Sequence, residues 1–404
     1  MQKKLSQFEF IALMASLMSI VALAIDALLP ALDIIGVSIA TTNTSDNQLL
    51  ITMIFLGLGV GPLIFGPVSD SLGRKPVVYM GFALFIIASI ICVLSDNLTT
   101  MVAGRILQGI GLSAPRTISI AMIRDTYSGD YMARIVSFVT VVFILVPIVA
   151  PAVGKFILDR YSWQAIFYVQ LFFSVLVSFW FWKRQPETLV PERREKFTAR
   201  IFTNGFKELI KYKITIAFTL ISGFIVGSFL VYLSTSQHIF EVQYEMEDKF
   251  PYIFALLAIS IGTATFLNGT LVLKYGMQKI ISTSIYAFFG ISLLYILLYH
   301  NAPNPPVWVL LSFFALQFFA IGFIFGNLRA MAMQPVGHIA GIAAAITGFV
   351  STLMAVPIST YIGAFVTDSA LPLFIGFLSC ASISILILLY LKWDQRKVVL
   401  KGEA

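Results

Sequence analysis

What most constrains this chain is a succession of long apolar runs, each separated from the next by a short polar stretch. About 20 apolar residues, wound as a helix at ~1.5 Å per residue, cross the ~30 Å hydrocarbon layer of a bilayer. Inside that layer the backbone must satisfy its own hydrogen bonds, so repeated runs of this length are expected to form spanning helices. Composition agrees: 58% of the residues are hydrophobic and 12% charged, against roughly a quarter charged in a soluble domain. A soluble fold could not bury so much apolar surface.

The runs lie at about 8–34, 48–68, 76–94, 99–122, 134–158 and 163–182, and again at 214–236, 251–273, 279–299, 306–330, 340–366 and 370–391. The first follows Lys3 and Lys4 but continues without an Ala-x-Ala site, so it reads as a retained helix and not a cleaved signal. Between the two sets lies the one long polar stretch, 183–213, which carries Pro186 and Pro191. Its end, Phe202–Leu209, is expected to form a helix lying along a membrane surface. The predicted fold is an all-α membrane protein of twelve transmembrane helices in two six-helix bundles. The bundles span 1–182 and 214–392, with a cytoplasmic linker at 183–213 and a cytoplasmic tail at 393–404.

The net charge of +7 follows topology and does not suggest a nucleic-acid partner. With both termini in the cytoplasm, Lys3, Lys4, Arg74, Lys75, Arg124, Arg134, Lys274, Lys279 and Arg329 fall on the inner side, together with the basic residues of the linker and tail. That is the distribution expected of the positive-inside rule. Cys92 and Cys380 lie in apolar runs, where cysteine behaves as a small hydrophobe. His238, His300 and His338 are too scattered for a metal site, and Glu241, Glu245, Glu247 and Asp248 read as a solvated outer loop.

The second half echoes the first. Gly66 and Gly73 recur as Gly269 and Gly276, both pairs near the turn between the second and third span of a half. Val146-Pro147-Ile148 with Gly154, Phe156 and Asp159 recurs as Val356-Pro357-Ile358 with Gly363, Phe365 and Asp368, in the fifth span of each half. Twofold repeats of this kind place a solute site between the halves near the midplane.

Charge inside the apolar runs is the informative chemical signal, because each ionisable group in hydrocarbon costs at least ~2.5 kcal/mol. Three residues qualify: Asp26 in the first span, and Arg105 and Arg116 in the fourth. In an unbroken helix Ser19, Asp26 and Asp33 share one face, and so do Arg105 and Arg116, although Pro115 can kink the latter register. The first span rises outward and the fourth descends, which sets Asp26 and Arg105 at comparable depth and Arg116 nearer the cytoplasm. Desolvation disfavours a charged carboxyl and a neighbouring arginine favours it, so such a pair can tune proton uptake and release; the alternative is a fixed structural ion pair. For Arg116 three readings stay open: pairing with Asp125, lining a wet cavity, or contacting substrate. The second half lacks a deeply placed charge. Its intramembrane polar residues are Tyr232, Asn268, Gln317 and Asn327, among many phenylalanines, a lining suited to apolar ligands, or else simply groups that hydrogen-bond between helices.

Gly66-Pro-Val-Ser-Asp70-Ser-Leu-Gly73-Arg74-Lys75-Pro76 resembles the loop motif of the major facilitator superfamily, and sits after the second span as that motif does. Arg105-Ile-Leu-Gln108-Gly109 looks like its fourth-helix motif. Ala150-Pro151-Ala-Val-Gly154 resembles its antiporter motif, with Lys155 where a second glycine is common. Asp26-Ala-Leu-Leu-Pro30-Ala31-Leu32, Arg124-Asp125-Thr-Tyr127, Trp163-Gln-Ala-Ile166-Phe167 and Pro186-Glu187-Thr188-Leu189 are similar to the bicyclomycin/chloramphenicol-resistance branch of twelve-helix drug:proton antiporters. Leu28 and Asp33 depart from the branch pattern.

The resemblance implies that Asp26 is the protonatable carboxylate and Arg105 its electrostatic regulator. It also implies that Gly66, Asp70, Gly73, Arg74 and Lys75 form a conformational latch on the cytoplasmic side. Arg74 and Lys75 have the plainer alternative of anchoring to lipid headgroups. Pro147, Pro151 and Gly154 would bend or closely pack the fifth span, and Asp26, Arg105, Arg116, Tyr232 and Gln317 would line the substrate cavity. The expected function is proton-coupled export of small amphipathic drugs or metabolites from the bacterial cell across its inner membrane. The alternative is a proton symporter or uptake carrier for a small solute such as an anion. The expected partners are a small-molecule substrate, protons and membrane lipid, with no nucleic acid, in a monomer. The proton gradient supplies the energy and no cofactor or metal is expected. An enzyme is disfavoured, since the sequence holds no Asp/His cluster, nucleophile elbow or phosphate loop.

Overall fold

The computed structural model describes residues 6–194, 198 and 200–402, with the side chains at 44, 193, 395–402 and several positions between 129 and 144 excepted. Lys3, Lys4 and Lys196 lie outside the described residues, as does the end of the expected tail. The described residues are helical throughout, joined by short turns. The chain divides into two compact units, Met1–Ala199 with Asp248–Ala255, and Arg200–Glu247 with Leu256–Ala404.

The first unit contains α1 (Gln7–Asp26), α2 (Leu32–Ser38), α3 (Leu49–Leu72), α4 (Arg74–Val93), α5 (Leu98–Thr126), α6 (Gly129–Leu158) and α7 (Gln164–Arg184). α5 packs against both α3 and α4, and α1 packs on α6, α5 and α7. The entry of α1 is capped by Ser6, whose hydroxyl accepts the Glu9 N–H at 3.2 Å; a side-chain oxygen at this position satisfies one of the orphan donors of a helix start. Within the same first turn, Arg184 closes α7 onto α1 with a forked ion pair to the Glu9 carboxylate, at 2.5 and 2.6 Å.

The structure corrects the sequence reading of the first span. The run 8–34 is not one helix: α1 ends at Asp26, a 3₁₀ turn covers Leu29–Ala31, and α2 resumes at Leu32. Pro30 is the physical reason, because it has no N–H for the Asp26 carbonyl four residues earlier and its ring crowds that carbonyl. The shared face of Asp26 and Asp33 assumed an unbroken register, which the turn removes. Asp33 instead accepts the Asn47 amide at 2.9 Å.

The second unit contains α8 (Arg200–Leu209), α9 (Lys213–Gln237), α10 (Phe250–Tyr275, whose residues up to Ala255 belong to the first unit), α11 (Met277–Tyr299), α12 (Val307–Met333), α13 (Ala340–Gly363) and α14 (Leu371–Gly402). α9 packs on α13, α14 and α12, and α11 on α12 and α14. The short helix expected near Phe202–Leu209 is present as α8, which buries Gly205 and Leu209, with Ile342 and Ile346 of α13 facing Gly205. The core of this unit is aromatic: Tyr295 stacks on Phe374 at 3.7 Å, and Tyr232 meets Phe318 edge-on at 4.5 Å.

Among the described residues, ten stretches are long and apolar enough to cross a membrane. One of them, Val307–Gly363, is 57 residues long and contains both α12 and α13. Membrane spanning of this kind makes the chain a multi-pass membrane protein.

Candidate functional site

Asp26 sits at the last residue of α1, 5% exposed. Among the described residues no hydrogen-bond or ion-pair partner touches its carboxylate. Its position is held from both sides through the backbone. Two residues before it, the Ala24 carbonyl accepts from Nη1 and Nη2 of Arg105 at 3.1 and 3.2 Å. One residue after it, the Ala27 carbonyl lies where a side chain on Gly154 of α6 would begin, 2.0 Å from the place a Cβ would occupy. Only glycine lets α6 approach that closely.

Arg105 is fully buried. Its Nε donates to the Leu50 carbonyl at 2.6 Å and its Nη1 to Gln108 Oε1 at 2.7 Å, besides the two bonds to Ala24. Gln108 passes the connection on, donating to Ser89 Oγ at 2.7 Å, and Ser89 donates to the Phe85 carbonyl at 2.7 Å. One guanidinium therefore ties α1, α3, α4 and α5 together. It spends its donors on neutral oxygens and none on Asp26, so the two charged residues are neighbours in the fold without forming an ion pair. A planar five-donor fork suits this task, since no other side chain serves several acceptors in fixed directions.

The second cluster centres on Arg74, 3% exposed at the first residue of α4. Its guanidinium donates to Asp70 at 2.5 Å, Ser69 Oγ at 2.8 Å and Asp125 Oδ2 at 2.8 Å. Glu187, from the segment after α7, lies over the N-terminus of α4 and accepts the Arg74 and Lys75 backbone N–H groups, both at 3.0 Å. A carboxylate is favoured at a helix N-terminus by the dipole and the unpaired N–H groups there. Gly73 makes this seat possible. Its φ of 107° and ψ of 160° suit glycine almost alone, and a Cβ there would stand 2.7 Å from Glu187 Oε2. Lys75 is half-buried and its Nζ reaches the Trp182 carbonyl at 3.0 Å. Gly66 contributes its carbonyl to Ser69 at 2.7 Å. Thus Gly66, Asp70, Gly73, Arg74 and Lys75 are brought together, with Asp125 and Glu187 as further members.

The remaining sequence candidates are more dispersed. Arg116 is half-buried on α5; Asp125, one of the partners considered for it, is engaged by Arg74 and by Thr188 Oγ1 at 3.2 Å. Pro147, Pro151 and Gly154 all lie within α6. Lys155 pairs with Asp159 at 2.9 Å and approaches Asp248 at 3.6 Å. In the second unit Tyr232 and Gln317 are both buried in the packed interior. Gln317 donates to Ser292 at 2.6 Å and to the Phe288 carbonyl at 3.2 Å, linking α12 to α11, while its Oε1 and the Tyr232 hydroxyl have no partner among the described residues. Asn268 and Asn327 bond to one another across α10 and α12, Asn327 donating at 2.7 Å.

Sequence reasoning did not reach Ser89, gave Gln108 and Glu187 a place in a motif but no task, and considered Asp125 only as a partner for Arg116. Gln108 stands three residues after Arg105, one helical turn along, a spacing that could have marked it. The carbonyls of Ala24 and Leu50 carried no signal at all, because every residue has one.

The sequence model of the Major Facilitator Superfamily matches residues 10–359. The chain is 29% identical over 348 residues, 84% of its length and 85% of the relative's, to an uncharacterized MFS-type transporter, YdgK, of Bacillus subtilis (strain 168). It is 26% identical over 392 residues, 96% of each chain, to the bicyclomycin resistance protein homolog of Haemophilus influenzae. Its fold is similar to that of the xylose transporter XylE from E. coli in a partially occluded, inward-open conformation, with a TM-score of 0.71 at 14% identity, covering 96% of this chain and 97% of that one.

Proposed function

The chain belongs to the major facilitator superfamily, and from that premise we propose that it is a drug:proton antiporter, exporting small amphipathic drugs or metabolites by alternating access. The name of the bicyclomycin resistance relative supports export of this class of solute. The observation that carries the reading is the state of Asp26: a buried carboxyl with no cation on it, set at the break of α1 and clamped at the backbone on both sides. An unpaired acid in such a place responds to every change in water access, since charge in a low-dielectric interior is expensive without a partner. Protonation from one side and release to the other then couples proton flow to the conformational cycle. Arg105 acts as the fixed positive charge beside it and sets the position of α1.

In this reading Asp26, Arg105 and Arg116 are substrate-cavity residues of the first unit, and Tyr232 and Gln317 those of the second. Gly66, Asp70, Gly73, Arg74 and Lys75 form a cytoplasmic latch, and Pro147, Pro151 and Gly154 permit α6 to bend against α1. Counting α12 and α13 separately and adding the 30-residue α6 supports twelve spans, six in each of the bundles 1–182 and 214–392. Both termini, the 183–213 linker and the 393–404 tail are then cytoplasmic, in a bacterial inner-membrane monomer that uses the proton gradient and no cofactor.

The test is transport in proteoliposomes under an imposed pH gradient, with a panel of amphipathic solutes, comparing the native chain with Asp26→Asn. Gradient-driven movement should fall at least ~10-fold in the variant, the scale expected when an essential proton carrier is lost. Equal movement in both proteins sinks the assignment of Asp26.

A further inference from the structure

The second unit holds an unassigned cleft of about 760 Å³ at the α10–α11 turn. Its walls come from the end of α10, the start of α11, the end of α12 and α14, and include Tyr275, Gln278, Gln334 and two lysines, Lys279 and Lys392. A third lysine, Lys274, lies 5.1 Å from the Tyr275 ring centre, and Lys279 lies 5.4 Å from it. Among the described residues none of these three lysines has an acidic partner within ion-pair distance. A second hollow of about 280 Å³ continues from the cleft, sharing Tyr275, Lys279 and Thr283. It is lined by Leu271, Ile280 and Phe323, which form one apolar cluster.

We propose that this composite pocket binds one anionic phospholipid, with the phosphate diester held by Lys279 and Lys392, the polar headgroup against Gln278 and Gln334, and an acyl chain along Leu271, Ile280 and Phe323. Three features favour a lipid over a soluble anion. The cationic cleft and the apolar groove are contiguous, as the two ends of a lipid are. The pocket lies where two membrane-crossing stretches end, at Tyr275 and Met277, the level at which headgroups sit. Its charge has no internal counter-ion, whereas the corresponding place in the first unit is filled by Glu187, Asp70 and Asp125. Basic pockets between spanning helices on the cytoplasmic side are a recognised way of selecting anionic headgroups. The sidedness, and only that, rests on the orientation proposed above.

The full chain, purified in detergent and stripped of lipid, should be titrated with dioleoyl phosphatidylglycerol, dioleoyl phosphatidylcholine and glycerol 3-phosphate. Bound lipid is counted by native mass spectrometry, and thermal unfolding is followed in parallel. The native protein should retain phosphatidylglycerol in preference to phosphatidylcholine and respond little to glycerol 3-phosphate. Lys279→Gln with Lys392→Gln should weaken phosphatidylglycerol binding roughly thirtyfold, the effect expected of two lysines beside an anionic headgroup, with unfolding in phosphatidylcholine unchanged. Lys279→Arg with Lys392→Arg should keep the preference. If the double glutamine variant does not fold, Lys392→Gln alone should show a roughly fivefold loss. Undiminished binding in the glutamine variants, or equal retention of the two lipids, overturns the proposal. Stabilisation by glycerol 3-phosphate equal to that by phosphatidylglycerol assigns the site to a soluble phosphate instead and overturns the lipid assignment.

Discussion

At Gly73 in the first unit and Gly276 in the second, two long helices are joined through a single glycine with positive φ, 107° and 77°. The backbone solution is shared; the chemistry laid on it is not. After Gly73 come Arg74 and Lys75, and Glu187 caps the new helix while Asp70 and Asp125 hold the Arg74 side chain. After Gly276 come Met277, Gln278 and Lys279, with no side chain capping α11 and an open cationic cleft beside it. The first turn is closed by the chain's own acids, and the second is left to an outside anion. A like asymmetry runs through the two interiors. The buried charged side chains among the described residues, Asp26, Arg74 and Arg105, all belong to the first unit, and the second is packed with aromatic rings. One unit concentrates ionic chemistry, and the other supplies an apolar body.

The contrast is open to direct challenge, and the largest effect is expected at Arg105. Arg105→Lys keeps the charge but cannot serve the carbonyls of Ala24 and Leu50 and the Gln108 amide together. With two buried acceptors orphaned at ~1–3 kcal/mol each, stability should drop by roughly 2–6 kcal/mol and proton-linked transport should fall with it. Tyr232→Phe in the second unit removes a hydroxyl that has no hydrogen-bond partner among the described residues, so thermal unfolding should be unchanged or slightly raised. Comparable losses in the two variants would erase the distinction between the interiors.

A smaller effect compares the turns themselves. Alanine at either glycine bears the backbone strain of about 1–3 kcal/mol. At Gly73 its Cβ also stands 2.7 Å from Glu187 Oε2, while at Gly276 nothing lies within 4 Å. Gly73→Ala should therefore cost about 1–2 kcal/mol more than Gly276→Ala, because displacing the carboxylate leaves the Arg74 and Lys75 N–H groups short of a partner. Matching unfolding temperatures for the two variants would show that Glu187 contributes nothing as a cap.

The smallest effect lies at the surface of the second unit. Glu208 of α8 is held below the ordinary carboxylate range, chiefly by its hydrogen bond from Lys211. A lowered folded-state pKa means that the contribution is present above the ordinary value of 4.5 and is lost as pH falls below it, through the folded pKa. Hydrogen exchange of α8 should quicken slightly on acidification below that value, and Glu208→Gln should remove the pH response. The change is small because the pair is exposed and screened. An unaltered pH response in the variant would mean that another group governs α8.

The candidate site was partly legible from residue order. Asp26 and Arg105 stand out because ions in apolar runs are costly, and the Gly66–Lys75 segment carries a recognisable spacing. The Arg124–Tyr127 and Pro186–Leu189 segments also matched a family pattern, yet nothing in them said that Asp125 and Glu187 meet at Arg74, from 51 and 113 positions away. The break after Asp26 was missed for a different reason. Apolarity runs straight through Leu29–Ala31, and only the missing N–H of Pro30 betrays the turn. Family membership follows from the match over residues 10–359, which draws on the whole pattern at once.

By itself, then, the sequence determined the helical, membrane-crossing character of this protein, the positions of its scarce intramembrane charges and the glycines at its tight turns. These follow from local properties: the length of an apolar run, the cost of a single ion in hydrocarbon, the φ that one residue can adopt. Tertiary structure alone decided that Arg105 binds backbone carbonyls and leaves Asp26 unpaired, that the Arg74 guanidinium finds Asp125 on another helix, and that the lysines near Gly276 find no acid among the described residues. Those outcomes depend on which distant atoms a side chain finds at about 3 Å, and no local pattern encodes the address of a backbone oxygen on another helix.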